Sequence, residues 1–229
     1  MTSPCRRPSF LISLATLIGR DLLIEYRGRE IVTGGVTFAL LVLVVFNFAI
    51  DLRDTNAADV APGILWICFA FAGILGFGRS FADDRERGTL DGLLLAPIER
   101  GVVYLARVIS NTIFMAIVEL VSLPVFVALY DVRLAWGQTL LAVVLGTVGF
   151  AGTGTLVAAL AANSRARDVL LPLLLLPLAV PVLIASVKAT SAAIGTRPPD
   201  DIPWLQFLAG FDVVLVAASY IVFEYILEE

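Results

Sequence analysis

Between Leu134 and Ser164 the chain reads LAWGQTLLAVVLGTVGFAGTGTLVAALAANS and carries no charged side chain. A helix rises about 1.5 Å per residue, so about 20 apolar residues cross a hydrocarbon core of about 30 Å. The stretch therefore predicts a short turn followed by a transmembrane helix over about 138–162. Helix is the only open form of the spanning backbone, because lipid offers nothing to satisfy its N–H and C=O groups.

Outward from this segment the pattern repeats. Residues 31–50 and 60–78 are uncharged, 108–130 holds only Glu119, 169–188 is broken by Asp168 before it and Lys188 at its end, and 204–227 holds Asp212 and Glu224. With 138–162 these make six predicted spans in one integral domain over residues 1–229. The composition agrees: 59% of residues are hydrophobic and 16% charged, against about 45–50% and about 25% in soluble domains. A net charge of -4 with so few charges argues against nucleic acid as a partner.

Arg6 and Arg7 followed by Phe10 to Gly19 imitate a secretory signal, but the apolar stretch ends at Arg20 and Asp21 without a small-residue cleavage site. Ser13, Thr16, Arg20 and Arg27 recur at helical spacing opposite Leu11, Leu14, Leu22 and Leu23. That predicts an amphipathic helix lying in the membrane interface.

Lys and Arg fix the orientation. With the amino terminus inside, twelve of the sixteen fall on the cytoplasmic side, and only Arg53, Arg133, Lys188 and Arg197 fall outside. The positive-inside rule then places both termini in the cytoplasm.

The largest expected soluble feature is a cytoplasmic loop from Arg79 to Arg107. Asp83, Asp84, Arg85, Glu86 and Arg87 cannot sit in hydrocarbon, whereas Leu90, Leu93, Leu94 and Leu95 would not stay bare in water. A short amphipathic helix between the membrane surface and a cytosolic partner answers both demands. Thr89 after Gly88 is its expected N-cap, and Ala96-Pro97 its end. The plainer alternative is a solvated loop whose leucines dip into headgroups.

Within the spans, a carboxylate at mid-bilayer costs at least about 2.5–3.5 kcal/mol on insertion scales, so Glu119 and Asp212 are candidate functional residues. Each is open to two readings. One is a polar path or a proton-sharing hydrogen bond that biases a conformational change. The other is a carboxyl bonded to a neighbouring helix, or one facing a protein partner. Gly146, Gly149, Gly152 and Gly154 give the fourth span a smooth side for close packing. Pro172, Pro177 and Pro181 are expected to kink or break the fifth.

No phosphate-cradling GxxxxGK[ST] loop occurs, so an ATPase must be sought elsewhere. The chain has no histidine, the commonest metal ligand and usual axial haem ligand, and its two cysteines, Cys5 and Cys68, are not expected to meet. No catalytic residue set, resident cofactor or metal is expected.

Four segments in order, RDLLIEYR at Arg20–Arg27, APGILW at Ala61–Trp66, FADDRERGTLDGLLLAP at Phe81–Pro97 and LPLLLLPLAVPVLI at Leu171–Ile184, resemble the CcmB family, the B-type membrane subunit of the bacterial cytochrome c maturation system. The resemblance runs nearly end to end. It implies an all-α, ABC-2-type permease in the inner membrane, with no enzymatic activity of its own. Implied partners are a cytosolic ABC ATPase that binds ATP, a haem-handling membrane subunit, a small single-span subunit and a periplasmic haem chaperone, besides membrane lipid. The segment containing Phe81, Asp83, Asp84, Arg85, Glu86, Gly88, Thr89, Leu90, Leu93, Leu94 and Pro97 would be the coupling helix that docks on the ATPase. Two roles are associated with the family: moving haem across the membrane, or transmitting ATP hydrolysis to release a haem-loaded chaperone. Lack of histidine favours the second, with Cys68 or Met115 as weak substitute ligands for the first. The rival functions are an ABC-2-type exporter of another amphipathic compound and a passive scaffold.

Overall fold

A computed structural model describes residues 10–27, 30–50, 57–86, 100–132, 134–162, 164, 166–195 and 202–226; for 25–27, 30, 57, 58, 79–86, 168 and 224–226 it gives the backbone course alone. The described elements are α-helices: α1 (Phe10–Arg27), α2 (Glu30–Ala49), α3 (Ala57–Glu86), α4 (Arg100–Tyr130), α5 (Trp136–Ala162), α6 (Arg167–Ile194) and α7 (Trp204–Ile226). The last six are each long and apolar enough to cross a membrane, with α1 as the additional amino-terminal helix. The chain is a multi-pass membrane protein.

The stretch that decides the fold also organises it. α5 packs against α3, α4, α6 and α7, and its glycines make that possible. A Cβ on Gly146 would overlap Trp66 of α3 and Ser186 of α6, and one on Gly154 would overlap the Phe77 ring of α3. Lipid is as apolar as leucine, so close backbone approach and the dispersion contacts it allows take over from the hydrophobic effect in holding such helices together. Large apolar side chains accordingly point both ways. Trp66, Phe77 and Phe150 are buried, while Phe48, Leu120 and Val213 lie on outward faces suited to lipid.

The elements depart from the sequence expectations in four places. First, the segment from Arg79 is not a loop as far as Glu86: α3 continues eight residues beyond the apolar span that ends at Gly78. Apolar run length marks only the lipid-buried part of a helix. RSFADDRE contains no glycine or proline to stop it.

Second, α4 starts at Arg100, so Arg107 is a buried helical residue. Third, α6 runs continuously through Pro172, Pro177 and Pro181 and past Lys188 to Ile194. A proline removes one donor, and neighbouring helices can carry that loss. α6 ends where Gly195 adopts the left-handed conformation, with φ of 73°, and its N–H donates to the Ala192 carbonyl. Lys188 is then placed over the Trp204 ring, 5.9 Å from its centroid.

Fourth, α1 does not turn all its polar residues to water. Ser13 and Asp21 are buried with Leu17 against protein, while Leu11 and Leu23 are exposed. The i, i+4, i+8 stripe docks on α4, leaving leucines for lipid.

Candidate functional site

The buried polar groups of the membrane zone gather on α5 and its neighbours. The Thr147 hydroxyl donates to Glu119 of α4 and contacts the Val143 carbonyl at 2.7 Å. About two turns closer to the carboxyl end of α5, Asn111 Nδ2 of α4 donates to Thr155 Oγ1 at 2.9 Å. The Tyr104 hydroxyl donates to the Gly152 carbonyl at 3.1 Å. Trp66 Nε1 of α3 donates to Thr190 Oγ1 of α6 at 3.0 Å.

Asp212 differs. It is 4% exposed, and neither carboxyl oxygen has a hydrogen-bond partner among the described residues. It sits on α5 at Gly149, where a Cβ would overlap Oδ1. Ser186 Oγ, beside Gly146, is likewise buried and unpartnered.

Glu119 and Asp212 are therefore not brought together. Their contact points, Thr147 and Gly149, are two residues apart, about 200° around α5 but only about 3 Å along it. The two carboxyls flank the middle of α5 at nearly one level, one held from α4 and the other from α7. Glu119 is hydrogen-bonded to a neighbouring helix, which both of its expected readings contain; Asp212 makes no such bond among the described residues.

Of the residues expected in the coupling element, Phe81, Asp83, Asp84, Arg85 and Glu86 lie on the last two turns of α3. Gly88, Thr89, Leu90, Leu93, Leu94 and Pro97, and with them the expected short helix, lie outside the described residues. Both helices bordering that segment are long. α3 has 30 residues and α4 has 31, each about 45 Å against a core of about 30 Å.

Sequence reasoning missed a charged contact at the same end of the bundle. Asp21 of α1 pairs with Arg107 of α4, Oδ2 to Nη1 at 3.3 Å, and with Arg20, Oδ1 to Nη2 at 2.9 Å. Part of its signal was present in the sequence: Asp21 continues the every-fourth-residue spacing of Ser13 and Leu17.

This arrangement has helix-to-helix polar joints and a charged extension. Residues 12–226 match the family model described as CcmB protein. The chain is 33% identical over 208 residues to heme exporter protein B of Rhodobacter capsulatus, covering 89% of this chain and 93% of that one. It is 31% identical over 185 residues to heme exporter protein B of Bradyrhizobium diazoefficiens, covering 80% and 83%. To the Escherichia coli K12 protein of the same name it is 29% identical over 183 residues, covering 79% and 82%. With a family model spanning nearly its whole length and relatives matched over most of theirs, the chain belongs to the CcmB family.

Proposed function

We propose that this chain is the membrane subunit of an ABC-type complex for cytochrome c biogenesis, and that it converts ATP hydrolysis in a cytosolic partner into rearrangement of its own helices. Relatives named heme exporter protein B support haem as the cargo of the complex. The observation that carries the coupling role is the helical extension of α3 to Glu86, eight residues past the apolar span, with α4 starting again at Arg100. Two helices longer than the bilayer border the charged-then-leucine-rich stretch of the sequence, and a soluble subunit that pushes on their ends moves both.

Lys and Arg placement puts that edge, and both termini, on the cytoplasmic side of the inner membrane. A chain with no histidine is poorly equipped to ligate haem. Its work is then release of a haem-loaded chaperone on the outer face, with a haem-handling membrane subunit and a small single-span subunit beside it. ATP belongs to the ATPase subunit.

Glu86→Lys and Gly88→Pro, made in the intact complex, test this. ATP hydrolysis continues while covalent haem attachment to cytochrome c falls. If attachment and hydrolysis both proceed unchanged, this segment transmits nothing. A complex with a hydrolysis-dead ATPase loses attachment too; normal attachment there would make the chain a passive scaffold.

A further inference from the structure

One carboxyl group of α1 meets a buried charge of α4. Asp21 Oδ1 accepts from Arg20 Nε at 3.1 Å and Nη2 at 2.9 Å, which leaves Oδ2 for Arg107 Nη1 at 3.3 Å. The Asp21 and Arg107 side chains are 5% and 6% exposed, whereas Arg20 is 29% exposed. The pair is thus inside the α1–α4 interface, with Arg20 at its rim.

Such a pair is not needed to hold the helices together. Buried ion pairs are often matched or bettered in stability by apolar residues of similar volume. What a charge pair adds is a defined register, because a slide of one turn pulls the buried Asp21 and Arg107 charges apart, while apolar surfaces slide at little cost. The register matters here because of where it is set. Arg107 is seven residues, about 10 Å, from the first residue of α4. A displacement of that end therefore reaches Asp21 within two helical turns.

We propose that Asp21 and Arg107 form a positioning clamp that fixes the register of α1 on α4 and makes α1 travel with that end of α4. α1 is then a moving part of the transducer, with exposed Leu11, Ile12 and Leu23 carrying the motion into the lipid interface. Only the source of the displacement rests on the function proposed above.

The test uses the intact complex in lipid, with Cys5 and Cys68 replaced by serine and Leu17→Cys introduced as a probe in the α1–α4 interface. Thiol labelling of that probe reports release of α1, and haem attachment to cytochrome c reports output. Asp21→Asn raises the labelling rate on the order of a hundredfold and abolishes attachment, because it removes the negative charge that α1 sets against buried Arg107. The apolar pair Asp21→Leu with Arg107→Met returns labelling to its original slow rate but does not return attachment. Full attachment in the apolar pair would reduce the clamp to glue and overturn the proposal. So would unchanged labelling in Asp21→Asn, or labelling that stays fast in the apolar pair. If labelling follows expectation while Glu86→Lys leaves attachment intact, the clamp stands and the docking segment falls.

Discussion

The carboxyl group of Asp212 rests directly on the bare backbone of Gly149, so that at that point α5 presents no side chain to α7. A methyl group there would overlap Oδ1 and approach Val182 Cγ1 to 3.2 Å. Asp212 is short and rooted in a packed helix, so the helices themselves must part. Gly149→Ala is expected to destabilise the fold by about 1–3 kcal/mol, in the manner of overpacked cores. Gly137→Ala, with nothing within 4 Å of the new methyl, is the control and gains up to about 1 kcal/mol from helix propensity. Unfolding in a detergent titration separates the two.

Glu119 and Thr147 join α4 to α5 by a hydrogen bond whose partners are both buried. Thr147→Val strips the carboxyl of that partner and is expected to cost about 1–3 kcal/mol, the penalty of a stranded buried polar group. Glu119→Gln keeps an acceptor oxygen and costs less. The double variant Glu119→Leu with Thr147→Val is expected to recover most of the loss, because removing both partners leaves nothing stranded. A double-mutant cycle in detergent reads the coupling directly; additive losses would mean that the two groups do not depend on one another.

The six spans were legible because lipid imposes a length and a chemistry that any uncharged run of the right size meets. The glycines at 146, 149, 152 and 154 announced a smooth face for the same reason: α5 has no other means of bringing backbones close. Helix ends were less legible. RSFADDRE extends α3 although its five charges keep it from looking like part of a span, and α6 runs through three prolines that read locally as breaks. The Asp21–Arg107 pair joins residues 86 positions apart, and no local period reports such a distance. Asp212 was picked out by its charge, but that both its oxygens would be unpartnered depends on what α5 presents at Gly149, which is only bare backbone.

Trp66 and Thr190 fasten α3 to α6 through the indole N–H. Trp66 also stacks edge-on with Phe69, ring centroids 5.6 Å apart, and lies over Gly146. Thr190→Val keeps the shape and removes the acceptor, at an expected cost of about 1–3 kcal/mol. Trp66→Ala removes the ring as well and is expected to cost about 3–5 kcal/mol. Thermal unfolding of the two variants in the same detergent should preserve that order; an equal loss would show that the hydrogen bond carries the whole joint.

Asp212 gives the opposite expectation, in which stability and function part company. A buried carboxyl without a donor destabilises the fold that contains it, so Asp212→Ala removes a cost as well as a few packing contacts. The expected outcome is a chain at least as stable as the original. Polar residues kept inside a membrane at such a cost mark functional positions, and this one, on α7, stands across α5 from Glu119. Haem attachment to cytochrome c is therefore expected to fall in Asp212→Ala even though the protein accumulates and unfolds normally. Full attachment together with increased stability would show that the carboxyl is merely tolerated, and the level shared by Glu119 and Asp212 would then have no functional meaning.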